Sequence, residues 1–135
     1  MAEAIVSTVV QTLGTLLIPE AISFITSFTG VHEQFRHLRE EFVSIQGFLS
    51  TADSNHNQDP GIRAWVSDVR DIAYDVEDVI DTYLLKVAYY EEGESSFERY
   101  AHKPKKLLDC HKLNKKMDNL LSELKHISER RKRYD

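Results

Sequence analysis

The sequence predicts an all-α fold, an antiparallel four-helix bundle. Three observations carry that prediction. Apolar residues recur at spacings of three and four along four separate segments, the signature of amphipathic helices. No segment shows the strict apolar–polar alternation of a half-buried strand. Only five glycines and three prolines interrupt 135 residues, so long helices meet few breakers. Such helices bury their stripes against one another in a bundle. The chain is long enough for one core and is read as a single domain, residues 1–135.

The first helix is expected over about 2–28. Val6, Val9, Val10, Leu13, Leu16 and Leu17 form its stripe, and Pro19 should kink or break it. Gly30 punctuates. Val31, Phe35, Leu38, Phe42, Ile45 and Leu49 then follow at four, three, four, three, four, a heptad-like stripe that predicts a second helix over 31–50. "STADSNHNQDPG" reads as a loop of turn formers. Asp59 before Pro60 reads as an N-cap followed by proline in the first helical position. The third helix is expected over 60–89 and the fourth over 105–131, with "EEGESSFERYAHKP" as an acidic loop between them. Leu113, Met117, Leu120, Leu124 and Ile127 point inward on the fourth helix. Its end, "ERRKRYD", puts cations where the helix dipole favours them.

The net charge of −5 hides a division. Residues 1–102 hold 17 acids and 6 bases, a net of −11; residues 103–135 hold 5 acids and 11 bases, a net of +6. Two such ends attract each other or meet different partners. The single cysteine, Cys110, allows no internal disulfide and fits a reducing compartment. The start "MAEAIVSTVV" lacks the basic region of a signal peptide. No apolar run reaches the 18 residues of a constitutive transmembrane helix.

The densest charge lies in "VRDIAYDVEDVIDTYLL", Val69 to Leu85. At about 100° per residue, Trp65, Val66, Val69, Ile72, Ala73, Val76, Val79, Ile80, Tyr83, Leu84 and Val87 share an arc of about 140°. Asp68, Asp71, Asp75, Glu77, Asp78 and Asp81 fall outside it. Trp65, Val76, Val79, Ile80 and Tyr83 are therefore core anchors. Outward carboxylates lack the desolvated pocket that general acid–base work needs. Glu77 and Asp81 have no His or Cys nearby to complete a metal site. Two readings remain: a solvated face, or a docking face whose mutual repulsion a cationic partner relieves.

Glu77-Asp78-Val79-Ile80-Asp81 spells EDVID. In its setting, "AYDVEDVIDTYLL", the motif resembles that of the N-terminal coiled-coil domain of Rx-type plant immune receptors, the nucleotide-binding leucine-rich-repeat proteins. "MAEAIVS", "GVHEQFRHLREEFVSIQGFL", Trp65 with "VSDVRDIAYDVEDVID", and "HISERRKRY" extend the likeness over most of the chain. The resemblance implies an N-terminal fragment of a much larger receptor that triggers defence and hypersensitive cell death. It implies that Glu77, Asp78 and Asp81 dock on the receptor's own domains, notably arginines of the leucine-rich repeats. Asp71 and Asp75 lie beside them and extend the surface. ADP or ATP would belong to the nucleotide-binding domain; this segment has no P-loop and is expected to hold no cofactor or metal. The other implied partners are further copies on activation, guarded or cofactor host proteins, and the plasma membrane, reached from the cytoplasm.

The first helix is the membrane candidate. Between Glu3 and Glu33 the only charge is Glu20. Opposite the stripe stand Ser7, Thr8, Gln11, Thr12 and Thr15, uncharged groups that avoid the cost of ions in lipid. The bland alternative is a core helix whose outer side is merely neutral. By resemblance, an activated wheel-like oligomer releases this helix, with Glu3 and the stripe Val6, Val9, Val10, Leu13, Leu16 and Leu17, into a cation-conducting funnel. Some members begin "MADA" and carry an acid further along; here the start is "MAEA" and Gln11 is neutral. Residues 2–18 span roughly 25 Å, short of a ~30 Å hydrocarbon core. The alternative function is a passive scaffold that recruits cofactor proteins without entering a membrane.

Other constellations carry less. His32 and His37 stand about 140° apart on a helix and cannot share a metal. Cys110 and His111 point to different faces, which disfavours a nucleophile. The basic end, from Lys103 to Arg133, lacks interleaved aromatics, so nucleic acid is not the expected partner. Acidic partners or anionic headgroups suit it better. No pocket of convergent polar groups is foreseen, and the chain is read as non-enzymatic.

Overall fold

The computed structural model describes residues 2–17, 30–55, 59–91 and 96–131, with side chains for 2–17, 30–50, 59–89 and 104–131. They form four helices: α1 (Ala2–Leu16), α2 (Val31–Asn55), α3 (Pro60–Glu91) and α4 (Ser96–Arg130). The fold is an all-α four-helix bundle. Consecutive helices run antiparallel. Ser7 and Gly14 of α1 meet Gln46 and Arg39 of α2. Phe35 and Phe48 of α2 meet Tyr83 and Trp65 of α3. Asp68 and Lys86 of α3 meet Arg130 and Asp109 of α4.

The order around the bundle is α1, α2, α4, α3, each helix packing on its two neighbours in that ring. Two neighbouring pairs therefore run parallel. Gln34 reaches Asp118, and Arg131 reaches Ser44, so α2 and α4 share a direction. Helices α2 and α3, adjacent in sequence, occupy a diagonal. They meet through large rings: Phe35 sits edge-on to Tyr83 at 5.0 Å, and Phe48 edge-on to Trp65 at 5.1 Å.

The stripes read from the sequence fill the core. Val31, Phe35, Leu38, Phe42, Ile45 and Leu49 are all buried, as are Leu113, Met117, Leu120, Leu124 and Ile127. Among the described residues no polar or charged side chain is fully buried. At the α3 start, Asp59 Oδ1 accepts from the Gly61 and Ile62 amides at 2.8 and 3.3 Å, so Asp59 caps and Pro60 opens the helix. Gly30 begins α2 at φ 86°. The positive φ is what favours glycine here; a Cβ would stand 3.2 Å from Asn114 Oδ1, a tight contact that a small shift of that amide relieves.

Three expectations need correction. The second helix does not stop at 50; it continues to Asn55. Ala52 favours a helix, Ser, Thr, Asp and Asn weaken one only moderately, and neither proline nor glycine lies between 51 and 59. The fourth helix starts at Ser96, not Lys105, with Pro104 inside it. Proline removes one amide donor and strains one turn, and no other breaker lies between 96 and 110. Of the expected acidic loop, residues 92–95 lie outside the described residues. Leu84, placed inward on the wheel, is 45% exposed. Helix α1 has ended by that level, since Gly14 lies beside Arg39 while Tyr83 lies beside the more distant Phe35. Helix α1 closes at Leu16, and Leu17 N donates to Gly14 O at 3.2 Å. The expected continuation to 28 with a kink at Pro19 lies outside the described residues.

Trp65 is fully buried and donates its indole N–H to Ile127 O at 2.8 Å. That carbonyl is one of the last four of α4, which have no intrahelical donor. Trp65→Phe keeps most of the packing but orphans the carbonyl, and is expected to cost about 1–3 kcal/mol. Trp65→Ala is expected to cost about 3–5 kcal/mol. Urea unfolding of both variants checks the difference.

Burial pushes the Tyr83 phenol up from 10.0 to about 12. The neutral ring is favoured in the fold, so its stabilisation is complete below pH 10 and declines as pH rises from there toward 12. Tyr83 is expected to be absent from the first phase of an alkaline absorbance titration. Tyr83→Phe should remove one late-ionising phenol. A Tyr83 that titrates with the exposed tyrosines contradicts this account.

Candidate docking face on the third helix

Helix α3 divides its surface sharply. Trp65, Val76, Val79, Ile80 and Tyr83 are buried, all at 2% exposure or less. Asp78 and Asp81 are exposed and Glu77 half-buried. The division follows from spacing. Val76, Val79, Ile80 and Tyr83 return to the core at three- and four-residue steps, so the residues between them must face out. None of the three acids has an ion-pair partner among the described residues.

The neighbouring acids occupy the other flank. Asp71 and Asp75 are exposed and line a groove of about 260 Å³ against α4, with Glu123, His126 and Arg130 opposite. Asp68 at the end of that groove accepts from Arg130 at 2.8 Å, and Arg70 Nε lies 3.8 Å from Asp71. Glu77 is about 160° round the helix from Asp75 and faces the α1 side. Asp78 lies between the flanks. The acidic stretch is thus a ridge with two slopes, one toward α1 and one toward α4.

Two features of this face were not singled out in the sequence. Tyr74 is 51% exposed and precedes Asp78 by one turn, so a flat ring adjoins the carboxylates. The signal was its position outside the apolar arc. At the far end the ridge passes into exposed Leu84 and Leu85. An aromatic ring beside unpaired carboxylates suits a guanidinium, which can stack on the one and pair with the other.

The α1 residues lie elsewhere. Val6, Val9, Val10 and Leu13 are buried in the common core, whereas Leu16, Leu17 and Glu3 are half-buried. The neutral face makes its own local bonds. Thr8 Oγ1 donates to Ala4 O at 2.9 Å and Thr15 Oγ1 to Gln11 O at 3.0 Å. Ser7 Oγ accepts from Gln46 Nε2 at 2.9 Å. No helix among the described residues is long and apolar enough to cross a membrane. Nor does any group of three His, Cys, Asp or Glu among them form a metal cluster. His32 and His37 each lie near Glu33, at 4.0 and 3.9 Å.

The basic end of α4 is tied to its neighbours. Besides the Arg130–Asp68 pair, Arg131 Nη1 donates to Ser44 O at 3.2 Å and to Ser44 Oγ at 3.0 Å. Its guanidinium carbon lies 5.7 Å from the Phe48 ring centre. Arg130 and Arg131, expected to serve the helix dipole and to suit acidic partners, therefore join α4 to α3 and α2.

Comparison with known proteins places this architecture. Putative disease resistance protein RGA1 of Solanum bulbocastanum is 29% identical over 134 residues, 99% of this chain and 13% of that protein. Disease resistance protein RPP13 of Arabidopsis thaliana is 39% identical over 87 residues, 64% of this chain and 10% of that protein. The chain therefore spans only a small part of these relatives. No solved structure matches it. The model of the Rx N-terminal domain matches residues 5–111, which include the acidic ridge and three of the four helices, and the chain belongs to the Rx N-terminal domain family.

Proposed function

We propose that this chain is the signalling and oligomerisation domain of an intracellular plant immune receptor. The observation that carries the reading is the free ridge of α3: Glu77, Asp78 and Asp81 face outward without a cation among the described residues. At rest these carboxylates engage arginines of the receptor's nucleotide-binding and leucine-rich-repeat domains. Disease resistance relatives many times longer than this chain support the existence of such domains. The nucleotide, ADP or ATP, would bind there and not in the bundle. On activation the docking contact is exchanged, copies associate, and α1 leaves the bundle for the plasma membrane, where the oligomer conducts cations. Hypersensitive cell death follows.

A specific observation favours the alternative of a passive scaffold. Helix α1 contributes Ala2, Ile5, Val6, Val9, Val10 and Leu13 to the core, so its release exposes apolar surface that must find a new cover. A scaffold that recruits guarded or cofactor host proteins makes no such demand. Leu13→Glu cannot separate the two readings, because Leu13 is fully buried and a charge there breaks the resting bundle. Leu16 and Leu17 are half-buried at the end of α1 and tolerate polar replacement better. Leu16→Glu/Leu17→Glu is expected to keep the helical circular dichroism of the chain. In the whole receptor it should abolish cell death in a leaf expression assay. Undiminished cell death would favour the scaffold.

The ridge has its own test. Glu77→Lys/Asp78→Lys changes only exposed and half-exposed groups, so a shift below about 1 kcal/mol in chain stability is expected. Co-purification of the chain with the remainder of the receptor, expressed separately, should be lost. Retained co-purification, or an unfolded double variant, would remove the ridge from its docking role.

A further inference from the structure

The largest exposed apolar side chains cluster at one end of the α3–α4 hairpin, past the end of α1. Leu85 is 73% exposed, Leu107 61%, and Leu108 and Tyr89 51% each. Leu85 and Tyr89 line a shallow groove of about 260 Å³ with Thr82, Lys86 and Lys105. Lys105 Nζ sits 4.9 Å from the Tyr89 ring centre, and Lys86 lies 3.6 Å from Asp109. Along α4 from 103 to 116 stand six lysines and one acid, Asp109. Lys112, Lys115 and Lys116 are exposed.

We propose that this end of the hairpin is a docking surface for an anionic phospholipid membrane. It does not rest on the release of α1. Leucines and a tyrosine sit among ammonium groups, the pattern of a surface that lies in the headgroup region. The lysines meet phosphate and carboxylate headgroups while Leu85, Leu108 and Tyr89 reach the acyl boundary. A second copy is the poorer occupant. A two-fold pairing would present the same lysine-bearing patch to itself, lysines of one copy facing lysines of the other. The stretch 91–98 carries four glutamates, so the local excess of positive charge is small. Attraction by charge alone is weak, and the leucines and lysines must act together.

The test is flotation of the 135-residue chain with phosphatidylcholine vesicles, with and without phosphatidylserine. Binding is expected only to the anionic vesicles and should fall with added salt. Leu85→Ser/Leu108→Ser and Lys105→Glu/Lys112→Glu alter exposed positions, and circular dichroism checks that each folds. Each should weaken binding about tenfold or more, while Leu16→Glu/Leu17→Glu binds as the parent does. A Leu85→Trp variant should shift its emission to the blue on the anionic vesicles. Equal binding to neutral vesicles overturns the proposal, as does binding abolished only by the α1 variant. Absence of binding alongside a concentration-dependent rise in mass by light scattering, lost in Leu85→Ser/Leu108→Ser, also overturns it and assigns the patch to self-association.

Discussion

The structure depends on Trp65. Its ring meets Phe48 of α2 across the diagonal, and its N–H satisfies the Ile127 carbonyl at the end of α4. One side chain therefore joins three helices, one of them through an otherwise orphaned backbone group. The same end of the bundle holds Arg130 on Asp68 and Arg131 on Ser44. Toward the other end of the bundle Tyr83 repeats the diagonal contact with Phe35. Helix α3 is held along nearly its whole length by these contacts, so its inner face cannot turn outward without dismantling the core. That rigidity is what allows its outer face to carry a dense row of like charges. Repulsion among exposed carboxylates is screened by water and salt, and the aromatic contacts hold the helix against what remains.

Much of this was legible in the residues, for a physical reason. Apolar spacing reports which side of a helix is buried, and the stripes of α2, α3 and α4 became the core almost residue for residue. The Asp59–Pro60 start was equally readable, because capping is local chemistry. What spacing cannot report is which helix lies beside which. The ring order α1, α2, α4, α3 puts the sequential helices α2 and α3 on a diagonal. Only the partners of Trp65 and Phe35 reveal that. Leu84 was misplaced for the same reason: a wheel has no knowledge of where a neighbouring helix ends. The expected start of α4 at 105 left out its first nine residues, because "EEGESSFERYAHKP" reads as an acidic loop, although a long helix absorbs the single donor lost at Pro104.

The acidic ridge of α3 shows a similar mixture. Spacing alone turned Glu77, Asp78 and Asp81 outward. It did not divide the ridge, since the division depends on α4 lying against Asp71 and Asp75 and not against Glu77. It also passed over Tyr74, because a single exposed aromatic has no periodic signal. The chemistry of the face is accordingly richer than a count of charges. A guanidinium can pair with a carboxylate and stack on a ring in one geometry, which a lysine cannot reproduce.

Helix α1 differs from the other three in how it is held. It is the shortest, with 15 residues against 25, 32 and 35. Its described bonds to the bundle are apolar contacts and the Gln46–Ser7 hydrogen bond, with no ion pair. Arg39 packs its Nε against Gly14, where a Cβ would stand only 3.2 Å away, and that buried Nε has no hydrogen-bond partner. An unpaired donor beside the end of α1 is a cost that this fold carries. Apolar burial is strong but not directional, so the stripe Val6, Val9, Val10 and Leu13 can be covered by other apolar surfaces as well as by this bundle. Helix α1 is thus held by interchangeable contacts, beside three helices held by specific ones.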